Sequence, residues 1–311
     1  DIKYTADIVK GLENPKDPQH LNIATEIFWR LQQGETLNYM EIAHSRLSSL
    51  ARNFVVKYAD DQGFNYKKYQ PVNHNPSKHR FFDVITRENN RMQHLALLTR
   101  FMMIEEADGP TEIQRKSVGK FIDKFKEEDG IDNLDFKETE IGKSVLRTMH
   151  LIYEIFEDDP MVESGEGMKE LSTEYVLISM YTLVRHLSEH YVLENDEKRL
   201  IREFTKEFHG RWRARREDDP DILEFADKRQ QSGAEIDIRH RIIRQLFFEY
   251  ANEQNHEMMT KDKKRSFNEA DRIRIYRRDN GLCQECLAQE LPEEEALVPW
   301  KEFEADHVIP H

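Results

Sequence analysis

The sequence predicts a mainly α-helical protein, with a multi-helical body over residues 1–255 and a small metal-binding unit over residues 256–311. Apolar residues recur at helical spacing through most of the body, most densely in the stretch 173–193. β-strand patterns are scarce before residue 297. The final stretch, 277–311, carries two cysteines and then an Asp-His pair, at Cys283, Cys286, Asp306 and His307.

Capping and breaking residues set the helix boundaries in the body. Gly34 fits the end of a helix over residues 21–33. Asn38 fits the N-cap of the next helix, with Glu41 at the capping-box position, and the apolar spacing carries that helix on to Tyr58. Gly109-Pro110 ends an apolar helix over residues 88–104. Further helices are predicted over 111–128, 141–156, 173–193, 197–208, 222–229 and 236–250.

Two segments of the body allow two readings each. Residues 60–80 are predicted to form a long loop in which basic residues alternate with aromatic ones, as in loops that bind nucleic acid. An exposed loop with packed aromatic rings has the same pattern, and we favour this second reading. The arginines of residues 209–216 suit phosphate contacts, and they equally suit pairing with the acidic residues 217–219.

Composition and charge narrow the function classes. The chain has 311 residues, is 34% charged and carries a formal net charge of -14, which argues against nucleic-acid binding by the chain as a whole. The segment 261–278 is locally basic, so it is either a solvated helix face or a contact surface for phosphates. No apolar run has the length of a membrane span, and no phosphate-binding loop or nucleophile elbow is present. The residues from Asp1 onwards do not have the pattern of a signal peptide, and the absence of an initial Met leaves room for an upstream part. With only two cysteines, in one close pair, a reducing cytoplasm is the expected location.

The residue types at the C-terminal end suit metal-dependent phosphodiester cleavage. A neutral histidine such as His307 is a suitable general base near pH 7. A carboxylate such as Asp306 suits Mg²⁺ or Mn²⁺, which would neutralise charge on the scissile phosphate. The thiols of Cys283 and Cys286 suit Zn²⁺, which takes four ligands in tetrahedral sites. His307 or His311 could complete the zinc site only if it did no chemistry.

The stretch 266–311, with its basic helix, GLCQEC and FEADHVIPH, resembles the first half of an HNH (ββα-metal) endonuclease domain. This resemblance implies a zinc-supported ββα-metal fold that residues beyond His311 would complete. It implies His307 as general base, Asp306 as ligand of the catalytic metal, and Cys283 with Cys286 as half of a structural zinc site. The basic residues expected to contact the DNA backbone are Lys263, Lys264, Arg272, Arg274, Arg277 and Arg278.

Residues 27–47, IFWRLQQGETLNYMEIAHSRL, and the helix 88–104 are similar to segments of the GmrSD-type restriction and phage-defence family. In that family these segments follow a ParB-like core, and fused members carry a C-terminal HNH domain. Most of the similarity lies in Gly34, Leu37, Asn38 and Glu41. The family's nucleotide-binding Asp-Gly-Gln-Gln-Arg motif has no counterpart here, so any NTP would bind through a part outside this chain.

The two resemblances together predict a DNA endonuclease of the restriction or phage-defence class, which uses Mg²⁺ or Mn²⁺ for catalysis and Zn²⁺ for structure. The alternative is a non-catalytic helical binding or regulatory module with a structural zinc knuckle. Exposed helical faces also allow a homo-oligomeric scaffold, which no specific motif indicates.

Overall fold

The computed structural model describes residues 38–65, 70–125, 135–158, 171–261, 269–289 and 291–304. The described residues form two compact units. The first unit comprises the residues up to His186 together with Lys198–His256, and the second comprises Leu187–Glu197 and the residues from Glu257 onwards. The inclusion of Leu187–Glu197 in the second unit has no counterpart in the sequence pattern.

Helices dominate the described residues, which confirms the prediction of a mainly α protein. Their bounds are α1 Tyr39–His44, α2 Leu50–Ala59, α3 Gln93–Glu106, α4 Arg115–Lys124, α5 Glu140–Phe156, α6 Glu174–His190, α7 Asn195–Ala214, α8 Pro220–Asp227, α9 Gly233–Glu253, α10 Glu269–Arg278, α11 Gln284–Ala288 and α12 Glu293–Ala296. None of these helices is long and apolar enough to cross a membrane.

The prediction of one helix from Asn38 to Tyr58 is wrong, because α1 ends at His44 and α2 begins at Leu50. Ser49 ends the connection between them, and its hydroxyl accepts the backbone N–H of Arg52 as the N-cap of α2. The same hydroxyl donates to the backbone oxygen of Ile122 over 2.7 Å. The Ser49 hydroxyl thus has both a donor and an acceptor partner, and these hydrogen bonds stabilise the start of a new helix. The helical spacing of apolar residues continues across this break, so it gave no sign of it.

The segment 60–80, predicted to be a loop, contains a short antiparallel hairpin of β1 (Gly63–Asn65) and β2 (Gln70–Val72). Gly63 pairs with Val72 and Asn65 with Gln70. Strand runs of three residues fall below the length at which an alternating pattern is recognisable in a sequence. Isolated antiparallel bridges also pair Tyr191 with Thr260 and Leu282 with Leu297.

Helices α3 and α6 pack together in the core of the first unit. The rings of Phe101 and Tyr181 lie parallel within 8°, with 3.9 Å between their centroids. Phe101 and Tyr181 are fully buried, as are most of the apolar side chains of both helices. The sequence-based placement of the stretch 173–193 at the core is therefore correct.

Buried charges connect helices that are far apart in the sequence. Glu174 accepts a hydrogen bond from Arg87 over 3.0 Å and also pairs with Arg100, whose side chain is only 5% exposed. Arg239 is fully buried and donates to the backbone oxygens of Lys228 and Gln230 over 2.6 and 2.8 Å. A buried guanidinium without hydrogen-bond acceptors would destabilise the fold. Arg239 lies on α9 and also donates to the Ser179 hydroxyl on α6, so its contacts hold the connection between α8 and α9 against these two helices.

Candidate metal and nucleic-acid site

The candidate site lies in the second unit, where helix α10 ends in a tight turn. Asn280 and Gly281 have positive φ values of 53° and 73°, and the Gly281 N–H donates to the backbone oxygen of Tyr276 over 2.9 Å. A Cβ atom at Gly281 would lie 2.9 Å from the Tyr276 hydroxyl oxygen. Glycine is thus required here for both conformation and space, and it closes the helix in the usual left-handed manner.

An antiparallel bridge follows directly and brings two distant segments together. Leu282 pairs with Leu297, the Cys283 N–H donates to the backbone oxygen of Ala296 over 2.8 Å, and the Val298 N–H donates to that of Gly281 over 2.8 Å. Ala296 is fully buried beneath this bridge. The bridge therefore aligns the cysteine turn with the segment that leads towards Asp306 and His307.

Both cysteines belong to the turn that starts α11. Cys283 is the N-cap residue of this five-residue helix, and its backbone oxygen accepts the N–H of Leu287 over 3.1 Å. Both thiols are free and partly exposed. Hydrogen bonds from the backbone N–H and the thiol of Cys286 lower the pKa of Cys283, and the same contact between the sulfurs raises the pKa of Cys286. The thiolate is the form of cysteine that binds Zn²⁺, so a thiol with a lowered pKa suits a zinc ligand.

The described residues provide two ligands of such a zinc site and no more. No group of three or more His, Cys, Asp or Glu side chains able to hold a metal ion occurs among them. The predicted ligand Asp306 and the predicted base His307 lie outside the described residues, as do His311, Lys263 and Lys264. The ββα-metal arrangement accordingly stays a prediction.

The arginines of α10 divide between two faces of the helix. Arg274 lies three residues before Arg277 and four before Arg278, so these three side chains share one face, and all are exposed. Arg278 is bound to Asp279 through two contacts, Nε to Oδ1 at 2.7 Å and Nη2 to Oδ2 at 2.9 Å. The carboxylate of Asp279 raises the pKa of Arg278, and it partly neutralises this end of the surface.

Arg272 lies on the other face of α10 and contacts the protein itself. Its Nη2 donates to the backbone oxygen of Phe303 over 2.7 Å, and its guanidinium lies 5.6 Å from the ring centroid of Trp300. Tyr276, one turn further on, donates from its hydroxyl to the backbone oxygen of Val298 over 2.9 Å. In the sequence, Arg272 has the same expected role as Arg274, Arg277 and Arg278, which is contact with the DNA backbone. Its i,i+4 spacing to an aromatic residue was the available sign that it belongs to a packed face.

Three aromatic rings pack beneath Arg272. Tyr276 lies 5.2 Å from both Trp300 and Phe303, in edge-to-face geometry, and Trp300 stacks on Phe303 with centroids 5.8 Å apart. Such geometries are favourable beyond the area they bury. The cluster fixes the segment 298–303 on α10.

The arginine-rich segment 209–216 is held in part by its acidic neighbours. Arg211 donates to both carboxylate oxygens of Asp219 over 2.9 and 3.1 Å, and Arg216 lies 3.3 Å from Asp218. Trp212 is buried and donates its indole N–H to the Tyr175 hydroxyl. These contacts favour the pairing interpretation of this segment over the phosphate-binding one.

The basic residues described in the segment 60–80 also have partners in the protein. Lys78 forms an ion pair with Asp61, and the guanidinium of Arg80 lies 4.1 Å from the ring centroid of Tyr153. These contacts agree with the interpretation of an exposed loop with packed rings. Lys67, Lys68, Tyr66 and Tyr69 lie outside the described residues.

Two residues of the GmrSD-like segment have a local structural role. The Asn38 side chain accepts the N–H groups of Met40 and Glu41 over 2.8 and 2.9 Å, and the Glu41 carboxylate accepts the Asn38 N–H over 2.7 Å, which completes the predicted capping box. Glu41 also accepts from Nε and Nη2 of Arg91, and this contact lowers the pKa of Glu41. Asn38 and Glu41 therefore anchor the backbone at Arg91, which has a positive φ of 53°. Gly34 and Leu37 lie outside the described residues.

Comparison with known proteins found no matching family model, no matching curated protein and no matching solved structure.

Proposed function

We propose that this chain is part of a metal-dependent DNA endonuclease of the HNH type, acting in restriction or phage defence. The observation that carries the proposal is the bridge between Leu282 and Leu297, which aligns the Cys283-x-x-Cys286 turn with the segment leading to Asp306-His307. Hydrolysis of a phosphodiester needs a positioned base and a cation next to the phosphate, which His307 and Asp306 would supply, while the zinc turn would stabilise the unit that carries them.

In this proposal each site residue has one chemical task. His307 removes a proton from water as the water oxygen forms a bond to phosphorus, and the bond from phosphorus to the leaving sugar oxygen breaks. Asp306 holds the Mg²⁺ or Mn²⁺ ion, which supplies positive charge next to the phosphate. Cys283 and Cys286 hold Zn²⁺ together with ligands outside the described residues, and they stabilise the turn rather than react.

The DNA backbone is proposed to contact the exposed face of α10. Arg274 and Arg277 extend from the face opposite to Arg272, and Lys263 and Lys264 precede this helix in the sequence. Affinity from such contacts depends on salt, because each neutralised phosphate releases counterions. The acidic total charge of the chain, -14, makes this local surface necessary for binding.

The test is plasmid cleavage by the full-length protein. Supercoiled DNA, plain and modified, would be incubated with Mg²⁺ or Mn²⁺, with and without NTP, and zinc would be measured in the same preparation. We expect nicked or linear product from the wild type and none from His307→Ala or Asp306→Asn. Glu304→Gln, a change at an exposed position of the same segment, is the matched control and should cleave normally. Cleavage by His307→Ala at the wild-type rate would overturn the proposal.

One observation favours a second function, a non-catalytic helical module with a structural zinc knuckle. Among the described residues, the thiol turn, the bridge and the aromatic cluster of Tyr276, Trp300 and Phe303 form a small packed unit, as a structural zinc knuckle requires. Protein that carries zinc but cleaves no DNA under any of these conditions would support this second function.

A further inference from the structure

We infer that Arg272 and Tyr276 are positioning residues of the proposed nuclease: they fix the backbone that leads into Asp306-His307 and do not bind DNA phosphates. This inference rests on the proposed function for its catalytic consequence. Its structural content, that α10 fixes the segment 298–303, depends only on described residues.

Two hydrogen bonds from one helix face hold the segment at its two ends. Tyr276 donates to the backbone oxygen of Val298 over 2.9 Å, and Arg272 donates to that of Phe303 over 2.7 Å. Because the two donors are four residues apart on α10, they act from the same face. The two acceptors flank a short 3₁₀ turn, Trp300–Glu302, so the contacts fix where this turn begins and where the chain leaves it.

The guanidinium of Arg272 also contacts an aromatic ring. It lies over Trp300 at 5.6 Å from the centroid, and Trp300 in turn stacks on Phe303. Arg272 is only partly exposed, whereas Arg274 and Arg277 on the opposite face are exposed. If the Arg272 guanidinium bound a DNA phosphate, it would lose its hydrogen bond to the Phe303 backbone oxygen and its contact with the Trp300 ring.

The anchored carbonyl is close in sequence to the proposed catalytic pair. Phe303 precedes Asp306 by three residues, and three residues of extended chain span at most about 11 Å. The anchor at Phe303 therefore keeps the proposed metal ligand within that distance of a fixed point on α10. Misplacement of a reacting group by about 1 Å costs on the order of a hundredfold in rate.

The experiment compares four variants of the full-length protein: Arg272→Gln, Arg272→Lys, Tyr276→Phe and the matched control Arg277→Gln. Single-turnover cleavage rate, DNA affinity over a series of salt concentrations, and hydrogen exchange of peptides covering residues 298–311 would be measured for each. Tyr276→Phe removes one hydroxyl and keeps the ring, so it probes the anchor with the aromatic cluster retained.

A positioning role separates rate from affinity. We expect Arg272→Gln to lower the cleavage rate by about 10- to 100-fold with DNA affinity within about threefold of the wild type. Arg272→Lys, which keeps one donor, should recover part of the rate, and Tyr276→Phe should lose less than Arg272→Gln. Arg277→Gln, at a proposed phosphate contact, should instead show weaker binding and a salt slope reduced by about one.

Two outcomes would overturn the inference. One is an Arg272→Gln protein that loses affinity and salt dependence as Arg277→Gln does, which would make Arg272 a phosphate contact. The other is unchanged hydrogen exchange over residues 298–311 in Arg272→Gln. If the wild type cleaves no DNA, the proposed function fails and hydrogen exchange still decides the inference: faster exchange in Arg272→Gln but not in Arg277→Gln supports it, and equal exchange rejects it.

Discussion

Glu105 and Arg185 form an ion pair in the first unit, with 3.0 Å between Oε2 and Nε and with side chains that are only 3% and 11% exposed. The other carboxylate oxygen accepts from the hydroxyls of Tyr181 and Thr148. Arg185 also pairs with Asp108, whose side chain is 89% exposed, so Glu105→Gln leaves the largely buried guanidinium with only a solvent-screened partner, and we expect it to lower the free energy of unfolding by about 1–3 kcal/mol. Urea unfolding followed by circular dichroism measures this change.

The control for this prediction is the next residue. Glu106 forms an ion pair with Lys124, whose side chain is 61% exposed, and we expect Glu106→Gln to cost less than about 1 kcal/mol because solvent screens such pairs. Equal effects of the two substitutions would show that the buried pair has no special role in stability.

Asn38 supports the first described helix through both ends of its side-chain amide. Asn38→Ala removes the cap of α1 and the hydrogen bond to the Arg91 backbone oxygen, and should cost about 1–2 kcal/mol of unfolding free energy. Asn38→Asp keeps the capping oxygen and loses only the donor to Arg91, so it should cost less than the alanine variant. Thermal and urea unfolding of the three proteins would check this order, and equal stability of all three would contradict it.

The unfolding free energy should fall with acid, in part because of His94. Burial lowers the pKa of His94 to about 4 from 6.5, and the hydrogen bond that its Nε2 donates to the Arg87 backbone oxygen over 2.6 Å opposes this shift only in part. Between pH 6.5 and about 4, His94 therefore binds a proton in the unfolded chain but not in the folded chain. Stability is complete above pH 6.5 and is lost as the pH falls towards 4, by at most about 1.4 kcal/mol per pH unit for this residue.

The matching variant is His94→Gln, which keeps a donor for the Arg87 carbonyl but does not titrate. Its unfolding free energy should depend less steeply on pH than that of the wild type between pH 6.5 and 4. An unaltered slope in His94→Gln would show that His94 takes up its proton in the folded state.

Zinc binding by the cysteine turn is a separate prediction. Cys283→Ser and Cys286→Ser should each lose bound zinc, because serine does not replace a thiolate as a zinc ligand. Gln284→Ala, between the two cysteines, alters an exposed residue and should retain zinc. Metal analysis of purified protein and thiolate-to-cobalt absorption after cobalt substitution measure this, and zinc retained at full occupancy in both serine variants would contradict the assignment.

Proton release accompanies this binding. Hydrogen bonds from Cys286 lower the pKa of Cys283, and the contact with Cys283 raises the pKa of Cys286; Zn²⁺ binds thiolates, so its binding competes with protons for both sulfurs. We expect zinc to be lost progressively on acidification, and the metal content measured after dialysis at decreasing pH tests this. A zinc content that does not change with pH would exclude thiolate ligation.

Local residues determined much of the helical architecture. Asn38 and Glu41 form the capping box that starts α1, as predicted. Gly109, which has a φ of 144°, follows the end of α3, where the Gly-Pro pair predicted that the helix stops. Both signals act through neighbours within a few residues, so the sequence alone contains them. The spacing of Cys283 and Cys286 is local in the same sense, and their shared turn followed from it.

Contacts between distant residues were decided only by the tertiary structure. The break at Ser49 depends on the backbone oxygen of Ile122, 73 residues away, and Glu105 finds Arg185 across 80 residues. The sequence does not distinguish Arg272 from the other arginines of this basic helix. The backbone oxygen of Phe303, 31 residues later, accepts its hydrogen bond and so determines where its side chain points. Sequence spacing specifies which side chains share a helix face, whereas the partner opposite that face depends on how the whole chain packs.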